Sequence, residues 1–368
     1  MSCCSPVPTE QQKSMKSVLV LLLALTSGTN VSAEQDIPAF VARLDSLRKA
    51  ANIPGLSVAV VKNQAIVVAL GLGYADAERR IPATAETPYD IASVAKPLSA
   101  VVALRLVEMG VLDLDRPIAE YSEWGEFCTG FSQQPSIFAK GLRCQPPIHT
   151  LRHMLSHTAT STPGNQFSYN PLLYSWASRP IMAITDTSFS ALVARYVFVP
   201  AGMTRSARKH RDLPVREDVA QLLAPPHRVT ASGAIERSPA MAPQGDGAAG
   251  GVISTVLDLA RFDVALDQGV LISAESRKAM MTPARSSNGA VLPYGLGWFV
   301  QEYQGHTLVW HSGWWENAYS ALYLKIPALD LSFIILANSE GVWWGNPLDK
   351  AEVHRSEFAQ AFLRAFVN

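Results

Sequence analysis

The 368-residue chain has no excess of either charge: 31 Lys and Arg balance 31 Asp and Glu. It therefore lacks the electrostatic footprint of a nucleic-acid or anionic-membrane binder. A neutral small-molecule or peptide substrate fits better. No apolar run approaches the roughly 20 residues that span a bilayer. Neither Gly-x-Ser-x-Gly nor His-Glu-x-x-His occurs, which removes the nucleophile elbow of α/β-hydrolases and the zinc helix of metalloproteases. Cysteine is scarce, at four residues, and no pair has metal-site spacing. Internal repeats and low-complexity tracts are absent. With 48% hydrophobic and 17% charged residues, the chain suits one large domain or two closely packed ones.

Residues 1–33 read as an export signal. Lys16 precedes the apolar run Val18–Leu25, and Val31-Ser32-Ala33 offers a small-residue cleavage site. Met15 fits as the true start, which would leave Cys3 and Cys4 outside the protein. A retained membrane anchor is the competing reading. Export implies a periplasmic or secreted protein with no stable membrane span after cleavage. There Cys128 and Cys144, which bracket a polar Gly/Pro/Gln stretch, are expected to pair as a disulfide. Such a closure contributes roughly 3 kcal/mol in the chain-entropy model. Two buried free thiols are the alternative.

The chemistry is concentrated at Ser93-Val94-Ala95-Lys96-Pro97. The spacing puts a hydroxyl and an amine one helical turn apart on one face. Pro97 is tolerated only in a first turn, so the helix is expected to start near Ala92–Val94. Ser93 then lies at the positive end of the dipole, where developing negative charge is stabilised. An ordinary helix cap is the plainer reading. A second copy, Ser206-Ala207-Arg208-Lys209, sits in a basic stretch with no apolar helix after it and reads as solvated surface.

Periodicity predicts a helix over Ile37–Ala51 and a hairpin from 55–61 and 65–71. The Ser93 helix should end at Gly110. Helical segments broken by prolines fill residues 118–245, with 124–148 as an insertion. A helix follows over Ser254–Asp267. Strands are expected over 295–301, 307–311, 319–325 and 331–338, then an amphipathic helix over Lys350–Phe366. The fold class is therefore α+β: the ends pair into one antiparallel sheet flanked by helices, and the helical block caps it as a subdomain of the 34–368 domain.

Several stretches together resemble the serine β-lactamase and penicillin-binding protein superfamily. The best match is its class C-like branch, with family VIII esterases and D-amino-acid peptidases. They are Tyr89-Asp90-Ile91-Ala92-Ser93-Val94-Ala95-Lys96-Pro97, Gly110–Asp115, Leu151–Thr158, Ala248–Thr255, Tyr294–Trp298 and His311-Ser312-Gly313, in the family's order. The resemblance implies a β-lactamase/transpeptidase-like fold with Ser93 as acylated nucleophile and Lys96 as its activator. Tyr169, in Phe167-Ser168-Tyr169-Asn170-Pro171, fits the family's tyrosine acid/base, although Pro171 stands where the family has asparagine. Tyr174 is a weaker substitute, and a buried structural tyrosine is the plainer reading of Tyr169. The third motif has His311 in place of lysine, which weakens the demand for an anionic substrate. Gly313 would let the substrate approach the backbone. The amides of Ser93 and Trp314 would form the oxyanion hole. Asn170, His311, Ser312, Gly313 and Trp314 are thus the expected substrate-binding residues.

His149, His153 and His157 could share one helix face, as a metal site needs. Pro146-Pro147 before His149 argues against that, the family's last histidine in this segment is structural, and no metal or cofactor is expected. Trp310, Trp314, Trp315, Trp343 and Trp344 suit core or pocket wall, and near the third motif they suggest an apolar acyl pocket. The leading reading is an esterase-like serine hydrolase acting on small ester or amide molecules. A class C-like β-lactamase, a D-amino-acid peptidase and a catalytically silent binding protein are the alternatives.

Overall fold

The two ends of the sequence meet in one sheet. The computed structural model describes residues 36–367 other than Ser122, Pro147, Ala240 and Pro243. The segment read as an export signal, with Met15, Cys3 and Cys4, lies outside the described residues. Strands β1 (Gly55–Lys62), β2 (Ala65–Asp76) and β3 (Ile81–Pro82) precede the Ser93 helix. Strands β4 (Phe299–Tyr303), β5 (His306–Trp315), β6 (Tyr319–Ile326) and β7 (Leu331–Ala337) come from the far end. They make a seven-stranded sheet in the order β3-β2-β1-β7-β6-β5-β4, with every pair antiparallel. Val58 faces Ile335 across the central β1–β7 pair. Lys62 faces Ala65, so Asn63-Gln64 is a two-residue turn, with φ of 51° and 60°. Positive φ at both positions is the hairpin turn whose twist matches that of its strands.

Alternation along the strands sends Val58, Val60, Leu322, Leu324, Phe333 and Ile335 to one face and Ala59, Val61, Tyr323, Ile334 and Leu336 to the other. Helices Ile37–Ala50 and Glu357–Phe366 cover the first face with Phe40, Leu44, Phe358 and Phe362. Helices Ala95–Glu108 and Val256–Asp267 cover the second. Each fully buried leucine or phenylalanine here contributes about 1.5–3 kcal/mol. The last helix begins at Glu357 and not near Lys350, because Ser356 Oγ caps it by accepting from the Ala359 amide. The strand expected from Gly295 starts only at Phe299. Gly297 turns the chain with φ 82°, and a Cβ on Gly295 would lie 2.3 Å from the Met280 carbonyl oxygen. A helix over Ala274–Met281, capped by Ser273, was not legible in the periodicity.

Residues 118–245 are helical mainly in their first part, with one further short helix at Glu217–Ala220. Helices occupy Trp124–Ser132, Leu151–Leu155, Pro171–Trp176, Ser178–Thr185 and Phe189–Val193. Beyond them, Ala207–Arg208 pairs with Val252–Ser254, and His227–Val229 pairs with Ile235–Arg237. Cys128 and Cys144 are joined as a disulfide, with their Cα atoms 5.7 Å apart. Among the described residues no single helix is long and apolar enough to cross a membrane.

The basic stretch around Ser206 corrects the sequence reading. Ser206, Ala207 and Arg208 are all buried. Arg208 Nη2 lies 3.0 Å from Asp246 Oδ1, and the guanidinium also donates to the carbonyls of Gly247 and Gly250. A run of like charge looks solvated when its carboxylate partner is far away in sequence.

Candidate active site

Strand Tyr89–Asp90, paired with Val252–Ser254, delivers the chain to a strained corner. Ala92 has φ 47°, a left-handed conformation costing an alanine about 1–2 kcal/mol. Asp90 Oδ1 holds the corner by accepting from the Ala92 amide at 2.9 Å. A 3₁₀ turn over Ala92–Val94 then runs into helix Ala95–Glu108, with Pro97 in its first turn. The corner leaves Ser93 half-buried while its neighbours Ala92 and Val94 are buried.

Lys96 is fully buried. Its Nζ donates to Ser93 Oγ at 2.8 Å and to the Ala249 carbonyl at 3.1 Å. Burial, with no carboxylate to offset it, brings its pKa down from 10.5 to about 7. The Tyr169 hydroxyl donates to Ser93 Oγ at 3.0 Å, and burial raises its pKa, so it stays protonated. The structure therefore brings Ser93, Lys96 and Tyr169 together around one oxygen. Tyr174 is elsewhere: it donates to the Lys96 backbone carbonyl at 2.9 Å and braces the helix.

Three of the expected substrate-binding residues do not line the cavity at Ser93. Asn170 is buried; its Oδ1 caps helix Pro171–Trp176 by accepting from Leu173, and its Nδ2 donates to the Phe138 carbonyl. With the cap at 170, Pro171 occupies the first helical position that proline favours. His311 is buried between two partners, Nδ1 toward the Ser312 carbonyl at 2.7 Å and Nε2 toward the Tyr294 hydroxyl at 2.8 Å. Burial lowers its pKa well below 6.5, so it is a neutral structural strut. Gly313 is required by packing: a Cβ there would lie 2.3 Å from the Ile91 carbonyl oxygen, so its bareness lets β5 approach the nucleophile corner. Ser312 and Trp314 do line the cavity at Ser93.

The three histidines of the Leu151 segment share no face, because the helix there spans only Leu151–Leu155. His149 Nε2 bonds to the Ala159 carbonyl and His153 closes the helix's capping box. His157 accepts from the Asn170 amide and packs 4.3 Å from the Tyr169 ring. Among the described residues no cluster of metal-ligating side chains occurs.

Ser93 and Lys96 open onto a cavity of about 390 Å³. Its walls are Phe138, Leu172, Trp314, Trp315, Trp343 and Leu348, with Ser175, Gln244, Ser312 and Glu316 as polar points. Phe138 comes from the disulfide-closed loop, so the 124–148 insertion builds the pocket. Trp314 and Trp315 belong to the tryptophan cluster of the sequence. Glu316, Leu172 and Leu348 carry no sequence signal, being single residues of ordinary type brought in by distant segments. Arg208 also went unrecognised, although it fixes the loop 246–250 whose Ala249 carbonyl receives Lys96.

Comparison with known proteins identifies the family and the fold. The Beta-lactamase family model matches residues 40–353. Penicillin-binding protein 4* of Bacillus subtilis (strain 168) is 24% identical over 80% of this chain and 67% of its own length. Protein flp of Staphylococcus aureus (strain NCTC 8325 / PS 47) is 22% identical over 78% of this chain and 60% of its own length, so the chain spans about two thirds or less of these curated relatives. The octameric penicillin-binding protein homologue from Pyrococcus abyssi superposes with a TM-score of 0.72 at 23% identity, over 89% of this chain and 77% of that one. D-amino acid amidase from Ochrobactrum anthropi SV3, complexed with L-phenylalanine amide, gives 0.69 at 20% identity, over 89% and 97%. These last two likenesses carry the fold. With the family model spanning most of its length, the chain belongs to the Beta-lactamase family, whose members are serine hydrolases of the β-lactamase and penicillin-binding protein type.

Proposed function

We propose that this protein is an exported serine hydrolase that works through an acyl-enzyme on Ser93 and acts as an esterase on small carboxylic esters. The observation that carries the reading is the shared hydrogen bonding of Ser93 Oγ with Lys96 Nζ at 2.8 Å and Tyr169 Oη at 3.0 Å. Lys96 in its neutral form takes the Ser93 proton as Oγ attacks the ester carbonyl. The amides of Ser93 and Trp314 receive the oxyanion. The acyl–oxygen bond breaks, and the leaving alkoxide takes a proton from the Tyr169 hydroxyl, which the Lys96 ammonium replaces. Water then attacks the acyl-Ser93 ester with the same groups in reversed order, releasing the acid and restoring Ser93.

Two features favour an ester over an anionic β-lactam or peptide. The third motif offers a neutral, buried His311 where a lysine would bind a carboxylate. Asn170 and Pro171 supply no side-chain amide to the pocket. A catalytically silent binder would need no buried amine held near neutrality against a serine. The disulfide supports an oxidising compartment.

The test is intact mass and product release after wild type and Ser93→Ala meet p-nitrophenyl butyrate, nitrocefin and a fluorophosphonate. Adducts on wild type alone, with ester turnover exceeding nitrocefin turnover, are expected. Dominant nitrocefin turnover would make it a β-lactamase. No adduct and no turnover would leave a binding protein on the same scaffold.

A further inference from the structure

The charges of the cavity point beyond hydrolysis to the kind of acyl group it accepts. Lys96 spends its hydrogen bonds on Ser93 and Ala249 at the nucleophile end. Among the described residues no other lysine or arginine lines the cavity, and the one carboxylate is Glu316. Among the described residues the Glu316 side chain has no hydrogen-bond or ion-pair partner. Glu316 is exposed at the rim of this largely apolar cavity, and a carboxylate there, uncompensated by the protein, attracts a positive ligand and repels a negative one, an effect that salt screens.

The indoles add a second, independent observation. Trp314 Nε1 donates to Glu340 Oε1 at 2.8 Å, and Trp315 Nε1 donates to Asp90 Oδ1 at 3.0 Å. Both N–H groups are thereby used up, leaving the cavity ring carbons and π-density. Trp314 also stacks on Trp343, centroids 4.6 Å apart. Several indole rings beside a free carboxylate suit an alkylammonium, attracted by the ring quadrupole and needing no donor.

We propose that the acyl pocket selects esters whose acyl group carries a positive charge, an ammonium or quaternary ammonium, held by Glu316 among the indoles of Trp314, Trp315 and Trp343. The inference rests on the acyl-enzyme reading above. The cation itself is a spectator: the acyl–oxygen bond breaks and water enters as already described.

Three p-nitrophenyl esters of similar size test it: 4-(trimethylammonio)butanoate, its neutral isostere 5,5-dimethylhexanoate, and the anionic hemiglutarate. In wild type the cationic ester is expected to exceed the neutral one in kcat/KM by about tenfold at low salt, with the anionic ester slowest. High salt should shrink the ratio. Glu316→Gln should bring it toward one. A wild-type ratio of one or below, or a ratio unmoved by Glu316→Gln, overturns the inference. Calorimetric binding of the same esters to Ser93→Ala separates this from the hydrolase reading. Preferential binding of the cationic ester without turnover in wild type keeps the cation site and removes the hydrolase. Turnover without preference does the reverse.

Discussion

Lys96 offers the sharpest test of how the site works. Its pKa falls from 10.5 to about 7 through burial alone, a difference of about 5 kcal/mol in favour of the neutral amine. Only that form can accept the Ser93 proton. kcat/KM for a neutral ester should therefore rise tenfold per pH unit below 7, bend near 7 and level above it. Lys96→Arg should be inactive at every pH, because a guanidinium stays charged. Stability should respond to the same group. Between about pH 7 and 10.5 the unfolded lysine holds a proton that the folded one has released. The unfolded state thus binds more protons, and stability rises with pH across that window. The penalty is fully present below 7 and relieved above 10.5. Lys96→Met removes it, so at pH 7 this variant should be inactive yet more stable than wild type by about 1–3 kcal/mol, part of the gain being lost with the hydrogen bonds. Denaturant melts and pH–rate profiles measure the two arms. A flat kcat/KM between pH 6 and 9, or a Lys96→Met protein less stable than wild type, would falsify the assignment of a desolvated base.

Tyr169→Phe removes the phenol that donates to Ser93 Oγ and should lower kcat by about 10²–10³, while acylation by a fluorophosphonate persists more slowly; unchanged kcat would strike Tyr169 from the proton path. Arg208→Ala takes the cation from the Asp246 carboxylate and removes two carbonyl contacts to the loop, leaving Asp246 only its hydrogen bonds from Ser190, so denaturant titration should show a loss of about 3–5 kcal/mol, whereas a solvated arginine would cost no more than about 0.5 kcal/mol. Gly313→Ala puts a methyl 2.3 Å from the Ile91 oxygen. Pushing β5 off the nucleophile corner should cost about 1–3 kcal/mol of stability and about 10² in kcat; a melt and a single-turnover rate decide it, and wild-type values would show that β5 does not set the site's geometry.

What the sequence made legible was local. Ser93 and Lys96 sit three residues apart, so one helical turn suffices to join them, and Pro97 marks that turn. Lys62-Asn63-Gln64 between two β-rich runs set the hairpin, and Cys128 and Cys144 bracket a polar stretch short enough to close as one loop. What stayed hidden depends on residues far apart in sequence. Arg208 looked solvated because its carboxylate, Asp246, lies 38 residues away. Asn170 looked like a substrate ligand because motif spacing says nothing about which way a cap side chain turns. Gly313 suggested room for substrate, yet the space is filled by the carbonyl of Ile91. Leu348 and Glu316 enter the pocket only once β5–β6 and the loop after β7 are folded.

The surroundings of Lys96 explain why a single amine can govern the site near neutral pH. His157 and His311 are buried with pKa values lowered well below 6.5, and Tyr169, Tyr174 and Tyr294 are raised by burial. Each of these groups is thus held neutral, and each would need to gain or lose a proton against its environment to become charged. Lys96 alone lies within reach of ambient pH. A lysine at position 311 would add a second cation facing the first and press the Lys96 pKa lower still, while offering an anchor for a substrate carboxylate. The histidine does neither. The electrostatic demand on substrate then passes from the strand beside the nucleophile to the turn that follows it, where Glu316 is exposed and, among the described residues, without a partner.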